Sequence, residues 1–589
     1  MSSRTTLILI GALIGAGCED TVTEIVEIQA PPPPPPVSTP LTIDVQASQL
    51  DGNFLLGGAA FPGSVYQSAD IYLRDQATLT LVELGRSNDQ SYQAMVVNGT
   101  YDSVYQHFTG GDVPVNKDDV VNVDLPVNAP STMDIDVPSA TVRTVFLLDG
   151  NPFPASVYNH ASFYLQPVNT EELIFLGDSH VTNDVVNVMP GDYHVIYRHQ
   201  QGDQVPANQR ARVMSNVSIS GNAALNVDVA SADARTAFSL DGAPFPQSQY
   251  MAAHFYLVDD TGDEVFVGNS FDSGASVSVV AGAYDIEYRH QQGDTIPVNK
   301  AAIARQGLDC SGGCVASADV QSATLDINAT LNGQPFPASE FQDGILELFD
   351  ADTGSYTLLG NTHNAFAGLV VMQGTYDVVY SHENGDAVPQ NIRGVVTSGY
   401  VIGGDQQLDL DVTGHMLTGS VTLNTAAFPI SQYNTADFLL RGPNSTEDIF
   451  LFASHAQDEP AMVMPGTYDV IYACHNCIDI PFNSYAPVIA GYDVNADGVL
   501  STNLTSARVE ASATLNGSAF NASIYQSGVI WGGIGSDDQV ELTRTNVSTP
   551  DIILLSGDYN FYYQHANGDQ VPVNEWALVD QQTVSAPPN

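Results

Sequence analysis

One combination of side chains recurs along the sequence with the ingredients of a binding rim. In its fullest form it reads Tyr193-x3-Tyr197-x-His199-x2-Gly202-Asp203-x-Val-Pro206-x-Asn208, and similar tails carry His107, His290, His382 and His565. Strand alternation puts Tyr193, Val195, Tyr197 and His199 on one face, with the histidine at the strand end and Gly-Asp turning after it. A histidine with a carboxylate four residues on offers half a metal site or the edge of a ligand pocket; the pairs are His199/Asp203, His290/Asp294, His382/Asp386 and His565/Asp569. The same residues also have a purely structural reading, in which histidine bonds turn groups, the tyrosines fill the core and Gly-Asp and Pro set the turn. The fifth copy, Tyr472-Ala-Cys474-His475-Asn-Cys477, favours that reading: cysteines stand at the histidine and glycine positions, where a local disulfide would clasp the same turn.

The other chemical motifs are weaker. Cys310-Ser-Gly-Gly-Cys314 is a short loop suited to its own disulfide, without the βαβ context of a redox pair. Asp493-Val-Asn495-Ala-Asp497-Gly498 imitates the start of a calcium loop, but Leu504 occupies the twelfth position, where a bidentate carboxylate is needed. Gly177-Asp178-Ser179-His180 has the letters of a hydrolase nucleophile motif, yet Arg86, Asn269 and Asn361 replace Asp178 in other copies, so it reads as a strand-ending turn. No phosphate loop, nucleophile elbow or paired acid-base motif is present, and no catalytic residue, metal site or cofactor is expected.

These motifs sit in a repeat. Phe-Pro recurs at Phe61, Phe153, Phe245, Phe336 and Phe428, with Phe520-Asn521 as a sixth, and the Tyr-x3-Tyr pair keeps the same period of 91 or 92 residues. Inside each copy, short β-rich runs are punctuated every 8 to 12 residues by Gly, Pro, Asn and Asp, and no run has the length and period of a substantial helix. The fold class is all-β: six tandem antiparallel β-sandwich modules of about 90 residues. An alternating strand of the type Leu-x-Val-Asp-Val precedes every copy, and because the chain stops without a seventh, it is assigned to the start of each unit. The expected modules are therefore 41–132, 133–224, 225–315, 316–407, 408–499 and 500–589.

The tract Met189-Pro-Gly-Asp-Tyr-His-Val, with Gln373-Gly-Thr-Tyr-Asp-Val and Met464-Pro-Gly-Thr-Tyr-Asp-Val in later units, resembles the Pro-Gly-x-Tyr-x-Val strand of the transthyretin-like superfamily, including carboxypeptidase regulatory-like and collagen-adhesin B-type domains. Those families close with a strand at the C-terminal end of the domain, whereas here the equivalent strand leads. At the N-terminus, Arg4 and the apolar run Leu7 to Ile14 read as an export signal too short to span a bilayer. The run ends in Ile14-Gly-Ala-Gly-Cys18, which resembles the lipobox of bacterial lipoproteins. The resemblance implies a signal peptide over 1–17 and a diacylated Cys18, followed by a linker over 18–40 that includes the stiff proline run Pro31 to Pro36. Without Cys18, the remaining cysteines fall into two local pairs, Cys310/Cys314 and Cys474/Cys477, as suits an exported compartment.

Acidic residues outnumber basic ones 67 to 16, for a formal charge of −51, which repels nucleic acid while 43% apolar residues still supply cores. The sequence thus predicts a bacterial envelope lipoprotein, held in the outer membrane by its lipid and facing the exterior. Its modules would form a structural or adhesive rod on the order of 200 Å long, contacting a protein or glycan partner. The alternative is a glycan- or calcium-binding array that uses the Tyr/His/Asp ends as pockets.

Overall fold

Apolar residues alternating with polar ones make a strand with one buried face, and the computed structural model consists of such strands throughout. It describes residues 38–586 apart from 182–184, 273, 365–367, 443–446 and 548–550. The expected signal peptide, Cys18 and the proline run lie outside the described residues. No α-helix occurs among the described residues, and none of their helices is long and apolar enough to cross a membrane.

The first described strand is β1 (Thr39–Val45). The second unit shows the repeated module: β2 (Ala140–Leu148), β3 (His160–Pro167), β4 (Ile174–Asp178), β5 (Val185–Val188), β6 (Gly191–Gln201), β7 (Ala211–Ile219) and β8 (Ala223–Val229). One sheet has β2 between antiparallel β5 and parallel β8; the other runs β4-β3-β6-β7, all antiparallel. Between them lies a core of Phe146, Phe163, Val195 and Tyr197, with Phe153 from the Phe-Pro turn packed edge-on to Phe163.

The Leu-x-Val-Asp-Val strand closes the preceding unit rather than opening the next, which corrects the module boundaries read from sequence. In β8, Leu225, Val227 and Val229 point into the core of the unit that contains β2, and the register runs from Val142↔Ala223 to Leu148↔Val229. Ile135–Val137, Cys314–Val320, Gln406–Val412 and Gly498–Leu504 do the same in their units. The folded modules therefore span 47–137, 140–229, 231–320, 322–412, 415–504 and 506–584. A parallel partner roughly 80 residues upstream leaves no trace in a local pattern, so adjacency in sequence pointed to the wrong neighbour.

The sixth module lacks a closing strand of its own, and β1 fills the place. It pairs in parallel with β9 (Ser506–Leu515), from Thr39↔Val509 to Val45↔Leu515, and buries Leu41, Ile43 and Val45 in the sixth core. Asp44 accepts a hydrogen bond from Gly517 N at 2.8 Å, as Asp228 does from Gly150 N at 2.9 Å in module two.

Neighbouring modules interlock in one way. Met189, Val280, Met372, Met464 and Leu555 each enter the core of the module before their own, and Val97 of module one enters the core of module six. Each such burial contributes roughly 1.5–3 kcal/mol. Since six-to-one uses the same contact as the other five, the modules form a closed ring, not the extended rod expected from the sequence. Every module has an open core end that only a neighbour covers, and repeating one rotation brings the sixth module back to the first.

Candidate functional site: module junctions and aromatic turns

The asparagine that ends each tail makes the junction. Asn208 donates to the phenol oxygen of Tyr284 at 3.1 Å and accepts from Val280 N at 2.7 Å, while the backbone N of Ala207 donates to Ser278 O at 2.8 Å. Tyr284 in turn donates to Val280 O at 2.6 Å. The pairs Asn116/Tyr193, Asn299/Tyr376, Asn391/Tyr468, Asn483/Tyr559 and Asn574/Tyr101 repeat this arrangement. Burial pushes these phenols above their ordinary value, to about 12 for Tyr284, so all are neutral donors at physiological pH. Among the described residues, three junctions add an acid from the following module. Asp263 and Asp538 each accept from the asparagine side chain and the next two backbone amides. Glu172 accepts from Lys117 N, and burial pushes its carboxyl up to about 7.

The second tyrosine of each pair lies in the core and donates to the proline carbonyl nine residues on, as Tyr197 does to Pro206 at 2.6 Å. His199, His382 and His565 turn Nδ1 toward that same carbonyl, at 3.1, 3.2 and 2.9 Å, and His107 turns Nε2 toward Gly110 O at 2.8 Å. Burial holds His290 and His382 below the ordinary imidazole range. Asp203, Asp294, Asp386 and Asp569 are exposed; Asp386 and Asp569 accept from Gln342 and Gln526 at 3.0 and 2.9 Å. The structure thus brings the histidine and the turn together, but it points the histidine inward to backbone and the carboxylate outward to solvent.

In module five the cysteines bond, Cys474 to Cys477, as Cys310 does to Cys314 in module three. The calcium-like tract is the turn that carries the chain from Ala486–Val494 in one sheet to Gly498–Leu504 in the other, not a hairpin, with Asp493 accepting from Thr467 and Asp497 from Met416 N, so its acids serve different strands. Ser179 of the hydrolase-like tract is buried and accepts from Ala161 N at 3.0 Å.

A feature the sequence reading passed over lies against each tail. Five residues after the marker phenylalanine stand Tyr66, Tyr158, Tyr250, Phe341, Tyr433 and Tyr525, all between 69% and 77% exposed. In every copy a serine two residues earlier accepts the aromatic residue's backbone N–H at 3.1–3.3 Å, which fixes a tight turn. The next side chain, as Asn159 or Gln342, accepts from the tail loop at 3.3 and 2.7 Å. The tail glycine allows this approach: Gly202 has φ +94°, and a Cβ there would lie 2.3 Å from Tyr158 O. The signal was present in the Ser-x-aromatic spacing, but exposure, the property that sets these rings apart, is not a sequence pattern. Equivalent positions place the six rings on one circle around the ring of modules.

No family model matches the chain, and no curated protein matches it. Among solved structures it aligns with the Bacillus anthracis TIE protein at 13% identity over 59% of this chain and 68% of that one, with a TM-score of 0.13. It also aligns with two B repeat units of the collagen binding protein of Staphylococcus aureus (11%, 62% and 98%, TM-score 0.14) and with a streptococcal ancillary pilin (7%, 46% and 99%, TM-score 0.14). With TM-scores this low, the alignments carry no argument about the role of this chain.

Proposed function

We propose that the protein is a non-catalytic lipoprotein of the bacterial envelope, diacylated at Cys18 and exposed to the exterior, whose ring presents six copies of an aromatic turn for adhesive contact. The observation that carries this reading is the exposed aromatic at one position in every module. Six weak contacts on a rigid circle add by multivalency, because after the first binds the rest act at high effective concentration. Each module is read as a transthyretin-like sandwich; its closing strand at the C-terminal end of the folded unit supports that placement.

Sugars are the partner class favoured by the site. An exposed ring stacks on the apolar face of a pyranose, and the neighbouring Asp203, Asp386 or Asp569 offers acceptors for its hydroxyls. Two experiments test the proposal. Intact-mass analysis of the N-terminal peptide with protease shaving of whole cells should find a diacylated Cys18 and external cleavage; an unlipidated N-terminus or full protection sinks the envelope reading. Replacing all six aromatic residues by serine should abolish adhesion of the purified ring to glycan-coated surfaces while leaving its unfolding temperature within a few degrees. Unchanged adhesion sinks the role of the turns.

A further inference from the structure

Module two differs from its neighbours at the junction of two strand ends. His160 opens β3, and His180 follows β4 by two residues. A reciprocal bond pair, Ser179 N to Ala161 O at 2.8 Å and Ala161 N to Ser179 Oγ at 3.0 Å, pins the two segments side by side. The imidazoles meet edge to face with centroids 4.7 Å apart. Asp178 lies beside them, held by Ser162 Oγ at 2.6 Å, and one ligand atom from each of the three residues falls within 4.8 Å of the others.

The same place in other modules shows what is unusual here. In module four Asp343 stands where module two has His160, and His363 Nδ1 bonds its carboxylate at 2.7 Å. In module five Thr435 stands there, and its hydroxyl lies 2.8 Å from His455 Nδ1. In module two the partner is a second imidazole, and Nδ1 of both His160 and His180 is shut away from solvent without a hydrogen bond. A polar atom left so has lost its hydration without gaining a partner.

We propose that His160, Asp178 and His180 form a zinc site. Two neutral imidazoles and one carboxylate are a borderline nitrogen and oxygen set suited to Zn²⁺ rather than to Ca²⁺ or Mg²⁺, which take oxygen ligands. Bonds of about 2.0–2.2 Å to a tetrahedral ion bring ligand atoms to about 3.3 Å from one another, so small side-chain rotations close the set around the ion. Water or a surface group supplies the fourth ligand. The ion satisfies both orphaned nitrogens and ties β3 to the turn after β4.

The test is calorimetric titration of the full-length ring, stripped with a chelator, with Zn²⁺ alone at pH 7.5. Two variants use residues found at these positions in other modules, so that they fold: His160→Ser, as Ser68 and Ser527, and His180→Asn, as Asn88 and Asn546. The expected result is one saturable site per chain, with affinity at least tenfold lower in each variant and a zinc-dependent rise in unfolding temperature that both variants lose. No stoichiometric binding, or binding of unchanged affinity in either variant, overturns the proposal.

Discussion

Asn574 donates a hydrogen bond to the phenol oxygen of Tyr101 at 3.0 Å, across 473 residues of chain. The contact matches Asn208 with Tyr284 in neighbouring modules, so the ends of the protein meet as any two consecutive units do. Closure is directly testable where Thr42 and Ser512 hydroxyls lie 3.0 Å apart on paired strands. A Thr42→Cys/Ser512→Cys protein should oxidise to a covalent circle, with altered gel mobility that reverts on reduction. Failure to crosslink under conditions that leave the fold intact would count against the ring.

Removing one junction asparagine strands two groups at once. Asn208→Ala leaves the Val280 amide without its acceptor and the Tyr284 phenol oxygen without its donor, while Asp263 keeps the two backbone amides, so a loss of about 2–4 kcal/mol is expected in urea unfolding. Combined with Tyr284→Phe, the double variant should lose less than the sum of the two singles. Strict additivity would show that the pair is not coupled.

The junction between modules one and two should weaken as pH rises. Glu172 has its carboxyl raised from 4.5 to about 7 by burial, so the folded state favours its protonated form. The stabilisation is full below pH 4.5 and is lost as pH climbs through about 7, on the order of 2–3 kcal/mol across the range. Hydrogen exchange of the Lys117 amide, which donates to Glu172, should quicken from pH 5 to pH 8 beyond its intrinsic rate. Glu172→Gln should flatten that dependence.

Gly202→Ala tests the clasp between tail loop and aromatic turn. The φ of +94° and the approach of a Cβ to Tyr158 O predict a loss of about 2 kcal/mol or more. In module five, where Cys477 stands at this position, reduction of Cys474–Cys477 should loosen the turn that carries Tyr433, read as faster proteolysis near it. Equal proteolysis before and after reduction would show that the disulfide has no such role.

What the sequence disclosed follows from the range of each interaction. The Tyr pair, the Phe-Pro turn and the alternation in Leu225-Asn-Val227-Asp-Val229 are local, and all-β modules could be read from them. The partner of that strand is distant, and β1 looked like the first strand of module one although it completes module six. The tail asparagine was legible as part of a repeated motif, but its task became visible only with the neighbouring module in place. His180 was met only in the tract read as a strand-ending turn and His160 in no motif, because a strand hairpin separates the two in sequence and rejoins them in space.

The seating of β1 also decides how the molecule meets a pull. Tension on the chain ahead of residue 38 runs straight into Thr39–Val45, whose main-chain bonds to Ser506–Leu515 lie across the direction of the load and share it in shear. Those bonds and the three buried side chains of β1 are the first to bear force, and their failure leaves the closure of the circle to the contacts of Asn574 with Tyr101 and of Val97 with the sixth core. The strand then acts as a mechanical fuse: below its breaking force the tether is short and stiff, and above it the freed strand lengthens the tether while a weakened sixth module is held to the first by the junction alone.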